Sequence, residues 1–484
     1  MDGFGYRLWT SHGIRVADMD YPAFDIIPDG EGGAILSFVN YPPSTLSGEN
    51  IYAQRVDASG VVQWTSNGVA ICTASEHQRS PAMIPDGDGG AIIVWTDPRN
   101  GYLDIYAQKV NDSGVVQWTT NGVEICTEPG YQESPRLTPD GVGGAIIIWI
   151  DNRETTSYKA YVQRINQSGI VQWAINGIAL CDSAGDQVGS PISDGSGGAI
   201  IAWSEYRSGV SKFYAQRIDS TGTLQWASCG IPICTFPSSK GDLRIVSDHS
   251  GGAILCWRDR RAGSDDLYAQ RVNHSGVLQW TTDGVVVRAS PNQERYPDMI
   301  SDESGGAIVT WQVGGNIYAQ KIDSSGVTQW PSAAVAISTA LFDQLGPTLT
   351  TDGRGGAVIT WDDYRYVLPQ IYAQQVDAYG NLGMVTDVQD PSSPSGQNLF
   401  QLGQNYPNPF NAGTTIEYLV PKLSHVMLKL YDVLGRQIAT LVDEKRQVGS
   451  YSVSWNSADT PSGVYFYRLQ VGSFIATKKL LLLR

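Results

Sequence analysis

Charged side chains are scarce in this sequence: Asp, Glu, Lys and Arg together make up 17% of its 484 residues. Long apolar runs are missing altogether. None approaches the roughly 18 residues a helix needs to cross a bilayer, so no transmembrane segment is expected. No long stretch shows helical 3.6-residue periodicity. The start, MDGFGYRLWT, has no basic segment followed by an apolar one. A signal peptide is therefore not legible, and an exported protein would have lost it or would carry it upstream of this sequence. The five His (His12, His77, His249, His274 and His425) are scattered without metal-ligand spacing, so no metal or cofactor is expected. A net charge of −15 repels phosphates and argues against a nucleic-acid partner.

What is abundant points to β structure. There are 53 Gly, 24 Tyr and 14 Trp, with 42% hydrophobic residues to build cores, in a chain long enough for two or more domains. An internal repeat decides the fold of residues 1–383. The turn DGxGGA, or a close variant, begins at Asp29, Asp86, Asp140, Asp194, Asp248, Asp302 and Asp352, seven copies mostly 54 residues apart. Each leads into an apolar strand usually ending in Trp (AIIVW, 91–95). YAQ or YVQ follows, then a turn such as DSG (112–114), a QW pair and a final GVxIC strand. Period-2 alternation in IYAQKV fits a strand packed on one face and different on the other. Four short strands per repeat, seven times over, describe an all-β, seven-bladed β-propeller.

An open solenoid is the rival, and it would leave its end repeats uncapped. The ends argue for a ring. The last repeat stops after YAQQVDAYGNLG (372–383) without its QW strand. The N-terminus begins with an orphan of that kind, DGFGYRLWTSHGIRV (2–16), in which Asp2, Gly5 and Trp9 align with Asp57, Gly60 and Trp64. The N-terminal strand is expected to complete the last blade and leave no free edge.

Recurrence separates packing from function. The Gly turns and QW strands recur from blade to blade, so they answer a need the blades share. Trp-x-Asp/Glu-x-Arg appears five times (WTDPR, WIDNR, WSEYR, WRDRR and WDDYR) and reads as an Asp–Arg pair bracing the second-to-third strand loop. The DGxGG turns lack the alternating carboxylates and distal Glu of a calcium loop, and read as Asp capping its own turn. Cys72, Cys126, Cys181 and Cys234 each stand eight residues after a repeat Trp. They read as small buried core residues, too far apart to bridge from blade to blade. Among the six Cys, only Cys229 and Cys234 are close enough in sequence to suggest a disulfide.

A binding site on a ring must break its symmetry. The second-to-third strand loops and the blade-to-blade loops vary, and both open on one face. On that face His77, Arg79, Tyr102, Tyr131 and Arg295 are the candidate ligand contacts. Glycosidic cleavage needs two carboxylates about 5–10 Å apart. Glu76, Glu133, Asp186, Glu294 and Asp343 could line the variable face, but nothing in the sequence pairs any two, and no catalytic residue is assigned. The expected function of the ring is to bind a glycan, a peptide or another surface protein. A secreted polysaccharide-active enzyme, glycosidase or lyase, and a structural component of a surface layer are the alternatives.

Residues 384–399, rich in Pro and Ser, read as a linker. Beyond it the repeat disappears and the charge reverses. Residues 400–484 hold 9 Lys/Arg and 5 Asp/Glu, where the rest holds 24 and 43. Consecutive short strands over about 85 residues suggest a small immunoglobulin-like β-sandwich. NYPNPFN (405–411), LYDVLGR (430–436), GSYSVSWN (449–456), SGVYFYRLQ (462–470) and TKKLLLLR (477–484) closely resemble the C-terminal sorting domain of type IX secretion substrates. Similar sandwiches occur in flagellar hook-capping proteins. The resemblance implies recognition of residues 400–484 by an outer-membrane translocon, with passage through the periplasm to the cell surface or the medium. By motif, Asn408, Pro409, Gly463, Tyr465, Lys478 and Lys479 would belong to the sorting signal.

Overall fold

The computed structural model describes residues 14–17, 24–40, 48–154, 158–181, 186–207, 210–331, 334–340, 342–364 and 370–383. It also describes most of residues 401–483. The orphan-strand residues Asp2, Gly5 and Trp9, His12, the linker 384–399 and Pro409 lie outside the described residues. The chain divides into two compact units, 1–388 and 389–484. Every regular element among the described residues is a strand.

Among the described residues, the first unit is a succession of six four-stranded antiparallel sheets and a seventh of three strands, each formed by consecutive strands. We call these sheets blades 1 to 7. Blade 2 shows the pattern, with strands Arg79–Pro85, Ala91–Asp97, Asp104–Val110 and Val123–Cys126 in sequence order. An apolar core joins each blade to the next, from blades 1 and 2 to blades 6 and 7. Most blades are therefore covered on both sides. This is why Asp104–Val110 is buried at every position, where alternation had suggested one packed face.

The repeated residues have separate tasks. Asp86 Oδ1 accepts the backbone N–H groups of Asp88 (2.9 Å) and Gly90 (2.8 Å), and its other oxygen meets Lys109 Nζ at 3.2 Å. Asp29, Asp140, Asp194 and Asp248 repeat this with an Arg as the cation. The turn Asp thus caps its own turn. Gly90 is required because a Cβ there would lie 2.2 Å from the Val110 carbonyl oxygen. The Gln of YAQ staples the QW strand: Gln108 Oε1 accepts from Trp118 N, and its Nε2 donates to the Thr119 carbonyl, both at 2.9 Å. The Trp118 indole N–H then reaches the Gln167 carbonyl of blade 3 at 3.0 Å, so the QW Trp ties one blade to the next.

The two ends of the unit differ from its middle. Among the described residues blade 7 has three strands, Gln344–Thr351, Ala357–Asp363 and Gln370–Val376. Ile371 is 74% exposed, whereas Ile105, Leu267 and Ile317 at the same position are fully buried. In blade 1, Ile26 is 54% exposed, whereas its equivalents Met83 and Met299 are 5% and 6% exposed. Against blade 1, Arg15, Val16 and Ala17 line a small pocket with Val62, Trp64, Ser66 and Asn67. Asn67 corresponds to Asn121 of blade 2, whose side chain accepts from Thr73 N, just past the last strand of blade 1, at 2.9 Å.

The second unit is a two-sheet sandwich. Gln401–Leu402, Gly413–Val420 and Gly449–Asn456 form one sheet. Gln437–Arg446, Ser424–Tyr431, Gly463–Val471 and Phe474–Leu482 form the other, in that spatial order. Ile416, Val426, Leu428, Tyr467, Leu469 and Leu480 sit in their shared core. Within LYDVLGR, Asp432 closes its own turn, accepting from Arg436 N at 2.9 Å and from Arg436 Nε at 2.7 Å.

Candidate functional site

The recurrent Arg pairs with the Asp of its own loop, as expected, and also works between blades. Arg99 bonds Asp97 of its own loop and the Asn121 carbonyl (2.9 Å), and it reaches back to Cys72 Sγ of blade 1 at 3.2 Å. Its guanidinium lies 3.9 Å from the Tyr106 ring centre. Arg153 and Arg261 repeat every one of these contacts. Burial pushes the Cys72 thiol up to about 11 and that of Cys126 to about 12, which makes them inert packing groups. The Trp-Asp-Arg set is a structural clamp.

One clamp is covalent, and here the expectation that Cys181 is an unbridged core residue fails. Cys181 bonds Cys229 of the next blade across a Cα separation of 4.2 Å. It is not an isolated core thiol, and Cys229 does not pair with Cys234, which is free and buried. Equivalent Cys positions are indeed not adjacent. Cys229, however, belongs to a different series, the turn positions Asn67, Asn121, Asn176 and Asp283, all with positive φ. That turn lies over the Cys of the preceding blade, so a Cys in place of Asn is within bonding reach.

The variable face gathers its candidates into three groups. His77 and Arg79 meet on one carboxylate, Glu49, with His77 Nδ1 3.5 Å from Oε2. Tyr102 and Tyr131 pack edge to face, ring centres 5.9 Å apart, and remain 48% and 46% exposed. Asn152 N donates to the Tyr131 carbonyl at 3.1 Å and fixes that loop. Arg295 Nε contacts Asp265 Oδ2 at 3.2 Å. Arg79–Glu49 and Arg295–Asp265 are the same contact at equivalent positions of two blade junctions. Among the described residues no hydrogen bond or ion pair joins the three groups.

Asp265 is the residue that sequence reasoning missed. Fully buried, it also accepts from Arg258 Nη1 (2.8 Å) and Arg260 Nε (2.6 Å). Burial opposes its charge, but the bonds and charges of Arg260 and Arg258 hold its carboxyl below the usual carboxylate range. Arg258 turns its Nε to Asp242 at 2.8 Å. A signal existed, since this loop reads RDRRAGSDD where the blade 2 copy reads TDPRNGYLD. Of the carboxylates considered for catalysis, Glu294 is wholly buried, accepts from Ser290 Oγ at 2.6 Å, and has its pKa pushed up by that burial.

In the second unit Asn408 holds the final strand, accepting from Leu481 N at 2.8 Å. Tyr465 is buried, donates to the Pro461 carbonyl at 2.8 Å and packs edge to face on Trp455. Gly463 pairs with Leu482 at the start of its strand. Lys478 and Lys479 stand on the last strand opposite Tyr467 and Phe466, and Lys479 is exposed. Tyr467 was not singled out by sequence. Its hydroxyl donates to the Gly403 carbonyl and accepts from Asn405 N, both at 2.8 Å.

Residues 404–483 match the family model described as the secretion system C-terminal sorting domain, and this segment is a type IX sorting domain. No curated protein matches the chain. Among solved structures, the chain is similar to PorZ, a surface component of the type IX secretion system of Porphyromonas gingivalis. The identity is 15% and the TM-score 0.39, over 97% of this chain and 61% of PorZ. The chain thus spans about three-fifths of PorZ's length. It is also similar to an α-L-arabinanase of Penicillium chrysogenum, at 12% identity and TM-score 0.34 over 62% of this chain and 93% of that one. An ulvan lyase is similar at 11% identity and TM-score 0.43, over 76% and 94%.

Proposed function

We propose that this is an exported surface or secreted protein whose first unit is a seven-bladed propeller closed by its own N-terminal strand. It binds a polysaccharide on its variable face. The second unit engages the type IX translocon, with Lys478 and Lys479 as the residues read, because Asn408 and Tyr465 are occupied in holding the sandwich together. Pro409 and Gly463 belong to the same signal. Closure is supported by residues 15–17 seated against blade 1, and it would cover the exposed Ile26 and Ile371 faces.

The observation that carries the binding reading is the Tyr102–Tyr131 pair. The Trp–Tyr pairs inside the blades are buried, but these two rings are half exposed and held in fixed relation. Rigid, exposed aromatic faces offer apolar area to the C–H faces of sugars at little entropic cost. The test incubates the full chain with a panel of polysaccharides and surface proteins, and identifies retained material and products by mass spectrometry. An intact polysaccharide is expected to be retained. Tyr102→Ala with Tyr131→Ala should weaken it about tenfold, roughly 1.4 kcal/mol. Retention of a peptide or protein alone would move the ligand class, new fragments would make the protein an enzyme, and self-association without retention would make it a structural component.

A further inference from the structure

Resting on the polysaccharide reading, we infer that the Arg258–Arg260–Arg295 cluster at the junction of blades 5 and 6 is an anion subsite that selects carboxylate- or sulfate-bearing polysaccharides. The argument starts from symmetry. The junction of blades 1 and 2 carries the same carboxylate–Arg pair, Glu49 with Arg79. One arginine therefore suffices to close such a junction. At Asp265 there are three, and the two additional ones, Arg258 and Arg260, come from a loop whose other copies lack them.

Charge does not balance. Three guanidiniums face two carboxylates, Asp265 and Asp242, in a chain that is otherwise strongly acidic. Nor are the donors exhausted. Arg260 spends Nε and one contact of Nη2 on Asp265, and Arg295 spends Nε on Asp265 and Nη2 on Gln293. Their Nη1 groups have no partner among the described residues, and the side chains are 44% and 45% exposed. A guanidinium anchored from behind by a buried carboxylate has already lost its rotamer freedom. It presents its spare N–H groups as a planar fork suited to a carboxylate or sulfate. Tyr296, adjacent in sequence, sits at a bulge with φ 52° and leaves its ring 54% exposed, an unusual conformation for a bulky residue.

The full chain is tested against immobilised polygalacturonate and dextran sulfate, with dextran as the neutral control. Retention of the polyanions over dextran is expected, falling with added salt because counterions screen the attraction between the guanidiniums and the anionic groups. R260Q and R295Q should each weaken it about tenfold under conditions where both remain folded, their unfolding midpoints lowered because the buried Asp265 loses a partner, and R354Q, in a turn at the other end of the strands, should not. Equal retention of dextran, or R260Q/R295Q retaining polyanion as the parent does, would overturn the subsite. If the tyrosine variants lose a neutral polysaccharide while the arginine variants keep every ligand, only this inference fails. If no polysaccharide is held by any variant, the polysaccharide reading fails with it. Displacement of the polyanion by an acidic protein at lower concentration would overturn the glycan source.

Discussion

At the scale of the residue, the blades differ in buried polar positions that the repeat does not advertise. Asp104 opens the third strand of blade 2 and is buried, accepting from Asn100 Nδ2 at 2.8 Å. Burial, with Asp97 and Glu124 nearby, raises its pKa from 3.8 to about 6. The unfolded chain releases this proton near pH 4 while the folded protein keeps it to about pH 6. Stability contributed by the neutral form is therefore lost as pH rises through that window. Blades 1 and 6 carry Asn50 and Asn316 at this position. Asp104→Asn should unfold at higher urea than the parent at pH 7.5, by on the order of 1–2 kcal/mol, and like the parent at pH 4. A variant less stable at both pH values would show that the carboxylate is needed. The residue was visible in DIYAQ, but its burial was not, because alternation along one strand cannot report that a neighbouring blade covers the other face.

At the scale of the element, each junction between blades repeats one set of contacts, and blades 3 and 4 add the Cys181–Cys229 bond to it. Denatured without reductant, the protein should show four reactive thiols, and after reduction all six. Closing a loop of 48 residues is worth up to about 4 kcal/mol in chain entropy. C181A with C229A should lower the unfolding midpoint accordingly. C181A with C229N should lower it less, since Asn121 at the equivalent turn accepts a backbone N–H of the preceding blade. Six reactive thiols before reduction would disprove the bond. Both Cys series were readable in the repeat. Which series touches which depends on how far one blade is rotated from the next.

At the scale of the whole molecule, the open question of the sequence was whether the repeats close. If residues 2–16 complete blade 7, their deletion removes that blade's fourth strand and the tie that would bring the exposed Ile26 and Ile371 faces of the end blades together. Such a variant should unfold at lower denaturant and sediment as larger species than the parent. An unchanged midpoint with an unchanged sedimentation coefficient would mean that the N-terminal strand lies elsewhere. The sequence by itself determined the all-β class, the seven repeats, the self-capped Asp turns and the sorting domain, because each rests on contacts within about 50 residues that every copy must satisfy. Only the tertiary structure decided the Cys181–Cys229 pairing, the burial of Asp104 and the convergence of three arginines on Asp265. These depend on side chains from successive blades meeting in space, a relation set by the packing angle between sheets and written in no local pattern.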